Sequence, residues 1–470
     1  MEVCCVRGNR VLLQNGEVSP ATITIANGII SAITRGNHDD VGSGVQVIDA
    51  GDLLVMPGIV DSHVHVNEPG RTDWEGYETA TRAAAAGGIT TIVDMPLNSI
   101  PSTVTMDAFS TKLQHAKGQC HVDVAFWGGV IPGNQFELKP MIKAGISGFK
   151  CFLIFSGVDE FPHVSEDDLH DAMTQLQGMT VFYWCSLFEG VIIWFHAEVA
   201  GTEPDVSNMD ATQYKTFLES RPCSMENSAI ELVAKVCLQY RVPCHIVHLS
   251  SAEALPIIRD ARAKGAPLSV ETCHHYLTLA AETIPSGATQ YKCCPPIREQ
   301  ANQDKLWDAL KSGDINMIVS DHSPCTANLK VLEKGDFMEA WGGISSLQFG
   351  LSLFWTNAQR HDLTIQDLHR LMCVQTAKLC GLSDRKGEIK VGMDADFVIW
   401  DPDGYLKVEK SMIEHKNKVT PYEGKTFNGR VHKTIVRGQV VYDTGVFSPQ
   451  PLGKFIFRNQ DDKISTGARL

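Results

Sequence analysis

Leu53-Leu54-Val55-Met56-Pro57-Gly58-Ile59-Val60-Asp61-Ser62-His63-Val64-His65 is an apolar, β-branched run that ends in two histidines one residue apart. Such a run reads as a buried strand. Residues two apart on a strand point to the same face, so both imidazoles face one way and can grip one metal ion. The pair alone is weak, because two surface histidines that bind nothing would look the same.

The run recurs along the chain. Apolar, β-branched stretches lie at 59–61, 89–95, 122–131, 148–153, 191–196, 245–249, 268–272 and 315–320. Between most of them lie helical patterns, at 77–86, 137–144, 228–239 and 252–264, and Ser165-Glu166-Asp167-Asp168 opens another in capping-box fashion. Buried strands alternating with helices predict an α/β fold, a (β/α)8 TIM-type barrel.

The two ends read differently. Short β-rich runs at 11–13, 21–25 and 29–33 are separated by Asn15-Gly16 and Asn27-Gly28, which signal hairpin turns. Runs at 395–400, 433–437 and 439–442 repeat the pattern, with Arg437-Gly438 as a turn. Both ends are therefore expected to build one small β-sandwich domain, 1–57 plus 390–450, around a barrel of 58–389, followed by a tail of 451–470.

Composition narrows the function. The 470 residues exceed what one core usually holds, and the 43% hydrophobic content suits a globular chain. A net charge of -14 argues against binding the nucleic-acid backbone or an anionic membrane surface. Fourteen cysteines without a Cys-x-x-Cys spacing, with vicinal pairs at Cys4-Cys5 and Cys293-Cys294, read as free thiols of a reducing compartment. The start lacks a basic segment followed by an apolar core, so no secretory signal is read. The ending Ala468-Arg469-Leu470 fits a tolerant peroxisomal address, giving a peroxisomal or cytoplasmic expectation. The apolar stretch 179–195 is too short for a membrane span and carries Glu189 and Gly190, so it reads as core.

Chemistry in such barrels sits at the C-terminal ends of the strands. Those ends carry His63 and His65, Lys150, His196 with Glu198, His245 with His248, and Asp321 with His322. Imidazole and carboxylate suit zinc, iron, manganese or cobalt. Four of these histidines and one aspartate suffice for two ions if something bridges them. A protonated lysine cannot ligate a cation, but carboxylation of Lys150 by CO2 would make an anionic carbamate with two oxygens. Two ions would activate a water and polarise a carbonyl, and Asp321 could carry a proton to a leaving nitrogen. This is hydrolysis of an amide-like C–N bond.

Met56-Pro57-Gly58-Ile59-Val60-Asp61-Ser62-His63-Val64-His65, Gly148-Phe149-Lys150, His196, His248 and Asp321 resemble the cyclic amidohydrolases of the amidohydrolase superfamily. The resemblance implies two divalent ions, zinc first, held by His63, His65, an N6-carboxylated Lys150, His196, His248 and Asp321. It also implies a homotetramer. Met95-Pro96-Leu97-Asn98-Ser99-Ile100-Pro101, Ser320-Asp321-His322-Ser323-Pro324-Cys325 and Ala340-Trp341-Gly342-Gly343-Ile344 are similar to segments of the allantoinase group, which opens the hydantoin ring of allantoin to allantoate. Asn67 stands where dihydroorotases carry an arginine for a substrate carboxylate; allantoin has none. Asn67, Cys294 and Gly342 are the expected substrate contacts, and His322 is expected to fix Asp321. A dihydropyrimidinase or hydantoinase, and a non-catalytic scaffold of the collapsin-response kind, are the alternatives.

Departures from the pattern fall at Cys294, where relatives commonly have Ser, and at His274, where they commonly have Pro. The link from Gly178 to His196 is longer than relatives need, and reads as an insertion or an error in the gene sequence. Cys120, Cys151 and Cys325 have no base paired with them in sequence, and Asp94 is expected to orient neighbouring groups.

Overall fold

In the computed structural model, residues 3–36, 45–178, 191–201 and 203–458 are described. The tripeptide Ala468-Arg469-Leu470 and the greater part of the 179–195 stretch lie outside them. The eight expected barrel strands are Ile59–Val64, Ile89–Asp94, Asp123–Phe126 continued by Gly128–Gly129, Gly148–Phe152, Ile192–His196, Cys244–Ile246, Leu268–Cys273 and Met317–Val319. Neighbours pair in parallel from the first to the eighth. The ring closes through Asp61, which accepts from the Ser320 amide at 3.2 Å, and through the His65 amide, which donates to the His322 carbonyl at 2.8 Å. Most strand positions are buried on both faces, as helix-covered parallel strands require.

Helices fill the connections. Tyr77–Ala86 lies where the periodicity places it, and Glu166–Leu176 is opened by the reciprocal Ser165–Asp168 capping box. The helix expected at 228–239 is longer, Cys223–Tyr240, because Pro222 sets its N-terminus and the left-handed Arg241 ends it. The stretch 252–264 divides into a 3-10 turn, Ala252–Ala254, and a helix, Leu255–Ala263, with proline in the helix's first turn.

Strands from both chain ends join one nine-stranded sheet, eight of them in a single hydrogen-bonded path and Gln46–Asp49 paired beside Val3–Leu12. The N-terminal Val3–Leu12, Val18–Ala26 and Ile29–Arg35 meet the C-terminal Phe397–Lys407, Thr426–Val436 and Gln439–Asp443 through Leu54–Pro57. The sheet doubles back on itself. The Ile30 amide reaches the Met393 carbonyl and the Ala395 amide the Gly28 carbonyl, enclosing a core of Val6, Ile23, Ile25, Ile30, Phe397, Ile399 and Ile435.

The opening apolar run is thus two strands. Leu54–Pro57 belongs to the end-built sheet and Ile59–Val64 to the barrel, with Gly58 between them. A Cβ at Gly58 would lie 2.1 Å from Thr90 Oγ1, so only glycine passes this junction.

One buried ion cluster ties the barrel floor to the sheet. Lys386 Nζ lies 2.6 Å from Asp123, 2.6 Å from Asp396 and 2.9 Å from Asp394. Arg437 also pairs with Asp123, and Arg385 with Asp394 at 3.0 Å. Residues 453–456 run beside the third barrel strand, where the Ile456 amide donates to the Val124 carbonyl at 2.8 Å.

Candidate metal centre and active site

His63, His65 and Asp321 converge at the barrel mouth. Asp321 Oδ1 is 3.2 Å from His63 Nε2 and 3.5 Å from His65 Nε2, and the three side chains offer ligand atoms within 4.8 Å of one another. The other face of His63 is fixed. Its Nδ1 meets Glu271 Oε1 at 2.5 Å, which orients Nε2 towards Asp321. Nε2 is buried without a hydrogen-bond partner among the described residues. Burial drives the His63 pKa well below that of free histidine, so the ring is neutral and its lone pair available.

His196 and His248 form the opposite side. His196 Nε2 meets Glu198 at 2.7 Å, and Arg221 clamps Glu198 through two hydrogen bonds. This turns His196 Nδ1 to His248 Nε2, 2.9 Å away. Burial lowers both imidazole pKa values, so both rings are neutral. Two neutral ring nitrogens turned on each other, beside an unpartnered His63 Nε2, fit a shared cation better than a hydrogen-bonded core.

Lys150, on the fourth strand, lies near enough to His63, His196 and His248 for its charge to help lower their pKa values. It is 1% exposed, and no hydrogen bond or ion pair reaches its Nζ among the described residues. Burial pulls its pKa from 10.5 to about 8. Burial thus favours the neutral amine relative to a free lysine. His245, at the start of the sixth-strand motif, sits lower. Its Nδ1 lies 2.7 Å from Ser269 Oγ and its Nε2 3.1 Å from Glu271, so it belongs beneath the centre.

The remaining sequence-derived residues are at the same mouth. Asn67 is buried, in left-handed conformation (φ 66°), with Nδ2 donating to the Pro324 carbonyl at 3.2 Å. Cys294 and Gly342 adjoin: a Cβ on Gly342 would be 3.0 Å from Cys294 Sγ. His322 takes the Ser346 amide on Nδ1 at 3.2 Å and places Nε2 3.3 Å from Glu75, fixing the backbone that presents Asp321. Asp94 accepts from Tyr77, Lys112 and the Val66 amide, which pins the chain directly after His65. His248, Asp321, Asn67 and Asn98 all have positive φ, a clustering of local strain at the mouth.

Sequence reading assigned no role to Glu271, Glu198, Arg221 or Glu75. Glu198 follows His196 by two and so shares its face, which was a readable signal. Glu271, Arg221 and Glu75 come from other elements, and no spacing announces them.

Neutral buried imidazoles, a lysine and a carboxylate at the C-terminal mouth of a β/α barrel define a metal-assisted hydrolytic site. Residues 54–441 match the amidohydrolase family. The chain is similar to a mitochondrial allantoinase of Aquarana catesbeiana, at 57% identity over 85% of this chain and 79% of that one. It is 46% identical to an allantoinase of Streptomyces avermitilis over 96% of this chain and 98% of that one. Among solved structures, an L-hydantoinase (dihydropyrimidinase) of Arthrobacter aurescens superposes with TM-score 0.89 at 30% identity, covering 97% of this chain and 100% of that one. The chain belongs to the amidohydrolase family, a family of hydrolases, and allantoinases are among its curated relatives.

Proposed function

We propose that this enzyme hydrolyses the ring amide of allantoin, opening the hydantoin ring to allantoate. The observation that carries this is similarity to allantoinases at 57% and 46% identity over most of both chains, with His63, His65 and Asp321 offering ligand atoms within 4.8 Å of one another at the mouth. Hydantoinase chemistry is the second reading, favoured by the solved structure at TM-score 0.89, but its 30% identity is lower. A non-catalytic scaffold has no need of this donor set.

The residues fit a pair of divalent ions, zinc first, with iron, manganese or cobalt as alternatives. His63, His65, His196, His248 and Asp321, with Lys150 in its carboxylated form, would hold them. Such ions would supply Lewis acidity to the ring carbonyl and lower the pKa of a bound water. The chain's own groups do the rest. Glu271 and Glu198 hold the His63 and His196 rings in the tautomers that face the centre. The partly neutral amine of Lys150 is the form that reacts with CO2. Water oxygen bonds to the ring carbonyl carbon. The Asp321 carboxylate takes that water's proton and returns it to the ring nitrogen as the C–N bond breaks. Asn67, Cys294 and Gly342 line the mouth where the ring would lie; Asn67 offers no cation, in keeping with a substrate that lacks a carboxylate.

Purified protein assayed on allantoin and on dihydrouracil tests the reading: faster allantoin turnover supports it, faster dihydrouracil turnover replaces it. A homotetramer, expected from the resemblance, is checked by sedimentation. Peroxisomal import, expected from Ala468-Arg469-Leu470, is checked by deleting those residues from a fluorescent fusion.

No helix among the described residues is long and apolar enough to cross a membrane.

A further inference from the structure

A second cluster shares Asp321 with the centre described above. Cys273 ends the seventh barrel strand, and His275 sits in the short helix His274–Thr278 that follows. The Cys273 thiol, a His275 ring nitrogen and an Asp321 oxygen all lie within 4.8 Å of one another. Cys273 and His275 are fully buried and Asp321 is 7% exposed. Neither ring nitrogen of His275 has a hydrogen-bond partner among the described residues. A buried imidazole with both nitrogens unpaired, beside a thiol and a carboxylate, is an unfilled set of ligands.

We propose that Cys273, His275 and Asp321 form a further divalent-cation site, which takes a thiophilic ion such as zinc or cobalt and inhibits ring opening when filled. One thiolate, one imidazole and one carboxylate are a zinc-type donor set, and the sulfur selects against magnesium and calcium. Binding replaces the thiol proton, which leaves to solvent, by a sulfur–metal bond. Inhibition follows from sharing. Asp321 faces His63 at 3.2 Å and His65 at 3.5 Å, and an ion held with Cys273 and His275 draws the same carboxylate towards the seventh strand. The inhibitory half of the proposal rests on Asp321 acting in the catalytic centre; the binding half does not.

The centre proposed for catalysis contains no cysteine, so a thiolate-to-cobalt charge-transfer band reports this site separately. Holoenzyme carrying its resident ions is titrated with further Co2+, and in parallel its allantoin ring opening is followed under added Zn2+. The expected result is a near-ultraviolet thiolate–cobalt band in the unmodified enzyme and loss of ring opening as Zn2+ is added. In Cys273→Ser the band disappears, and ring opening persists under the same Zn2+. His275→Asn provides a second variant, with the band weakened or lost, should Cys273→Ser fail to fold. Absence of the band, or its persistence in Cys273→Ser, overturns the site. A band without any allantoin turnover leaves the site standing and removes the functional reading. A band that appears while Zn2+ leaves turnover unchanged overturns the inhibition.

Discussion

Two buried clusters of charged and metal-ligating groups lie at opposite ends of the barrel, and they are completed in different ways. At the floor, Asp123, Asp394 and Asp396 also meet the spacing of a metal site, but Lys386 Nζ occupies their centre within 2.9 Å of all three. Arg437 and Arg385 neutralise what remains. At the mouth, His63, His65, His196, His248 and Asp321 have no such internal cation bonded to them, and His63 Nε2 stays unpaired among the described residues. Glu271, Glu198 and Asn98 bond the far faces of the His63, His196 and His65 rings. A cluster that supplies its own counter-ion is a structural rivet, whereas one whose ring nitrogens turn towards one another and towards a carboxylate, with no cation bonded among them, is a ligand site. Proximity of acids and histidines does not separate the two; the bonding of the inward atoms does.

Removing one member of each cluster should break the comparison in opposite ways. His63→Ala should lower allantoin turnover by about 10³-fold or more, since the metal contribution is several kcal/mol at 1.4 kcal/mol per tenfold. Bound metal should fall with it, while the circular dichroism spectrum stays the same; full activity in this variant would refute the ligand assignment. Lys386→Met should do the reverse. It strands three buried carboxylates, for which about 3–5 kcal/mol of stability is expected to be lost. Urea unfolding measures that loss, and turnover per folded molecule should be unchanged. An equal fall in turnover would show that the rivet reaches the mouth.

Smaller effects sharpen the picture at the mouth. Glu198→Gln keeps the shape but removes the charge that orients His196, and should weaken metal affinity roughly 10–100-fold in chelator competition. The same variant carries a pH signature. Burial opposes ionisation of Glu198, but Arg221 and His196 outweigh it and bring its pKa from 4.5 down to about 2. A depressed folded-state pKa adds stability that is complete above the unfolded value and lost as pH falls through the folded one. Metal-free enzyme should therefore lose stability between about pH 4.5 and about pH 2, and Glu198→Gln should flatten that slope. An unchanged slope would mean that Glu198 is not charge-paired in solution.

Much of this architecture is legible in the sequence because it is periodic. The strands carrying His63, Lys150, His196 and Asp321 are continuous apolar runs, and their last residues face the mouth by the geometry of a parallel barrel. Reading failed where local pattern and tertiary pairing part. The run 53–60 looks like one strand, but Gly58 divides it between two sheets, which the contact with Thr90 explains and no periodicity shows. His245 and His248 look equivalent on the sixth strand, yet Ser269 and Glu271 hold His245 beneath the centre. Arg221 and Glu75 reach the site from long loops and helices, so only the folded chain shows what they hold.

The central claim is that the mouth is a loaded metal site that opens allantoin. Metal analysis of purified protein, followed by an allantoin assay before and after chelation and metal restoration, tests it most directly. Two divalent ions per chain are expected, with conversion of allantoin to allantoate, loss of that activity with the metal and its return on reconstitution. Protein that holds two ions and leaves allantoin intact, or that opens it at full rate without metal, would contradict it.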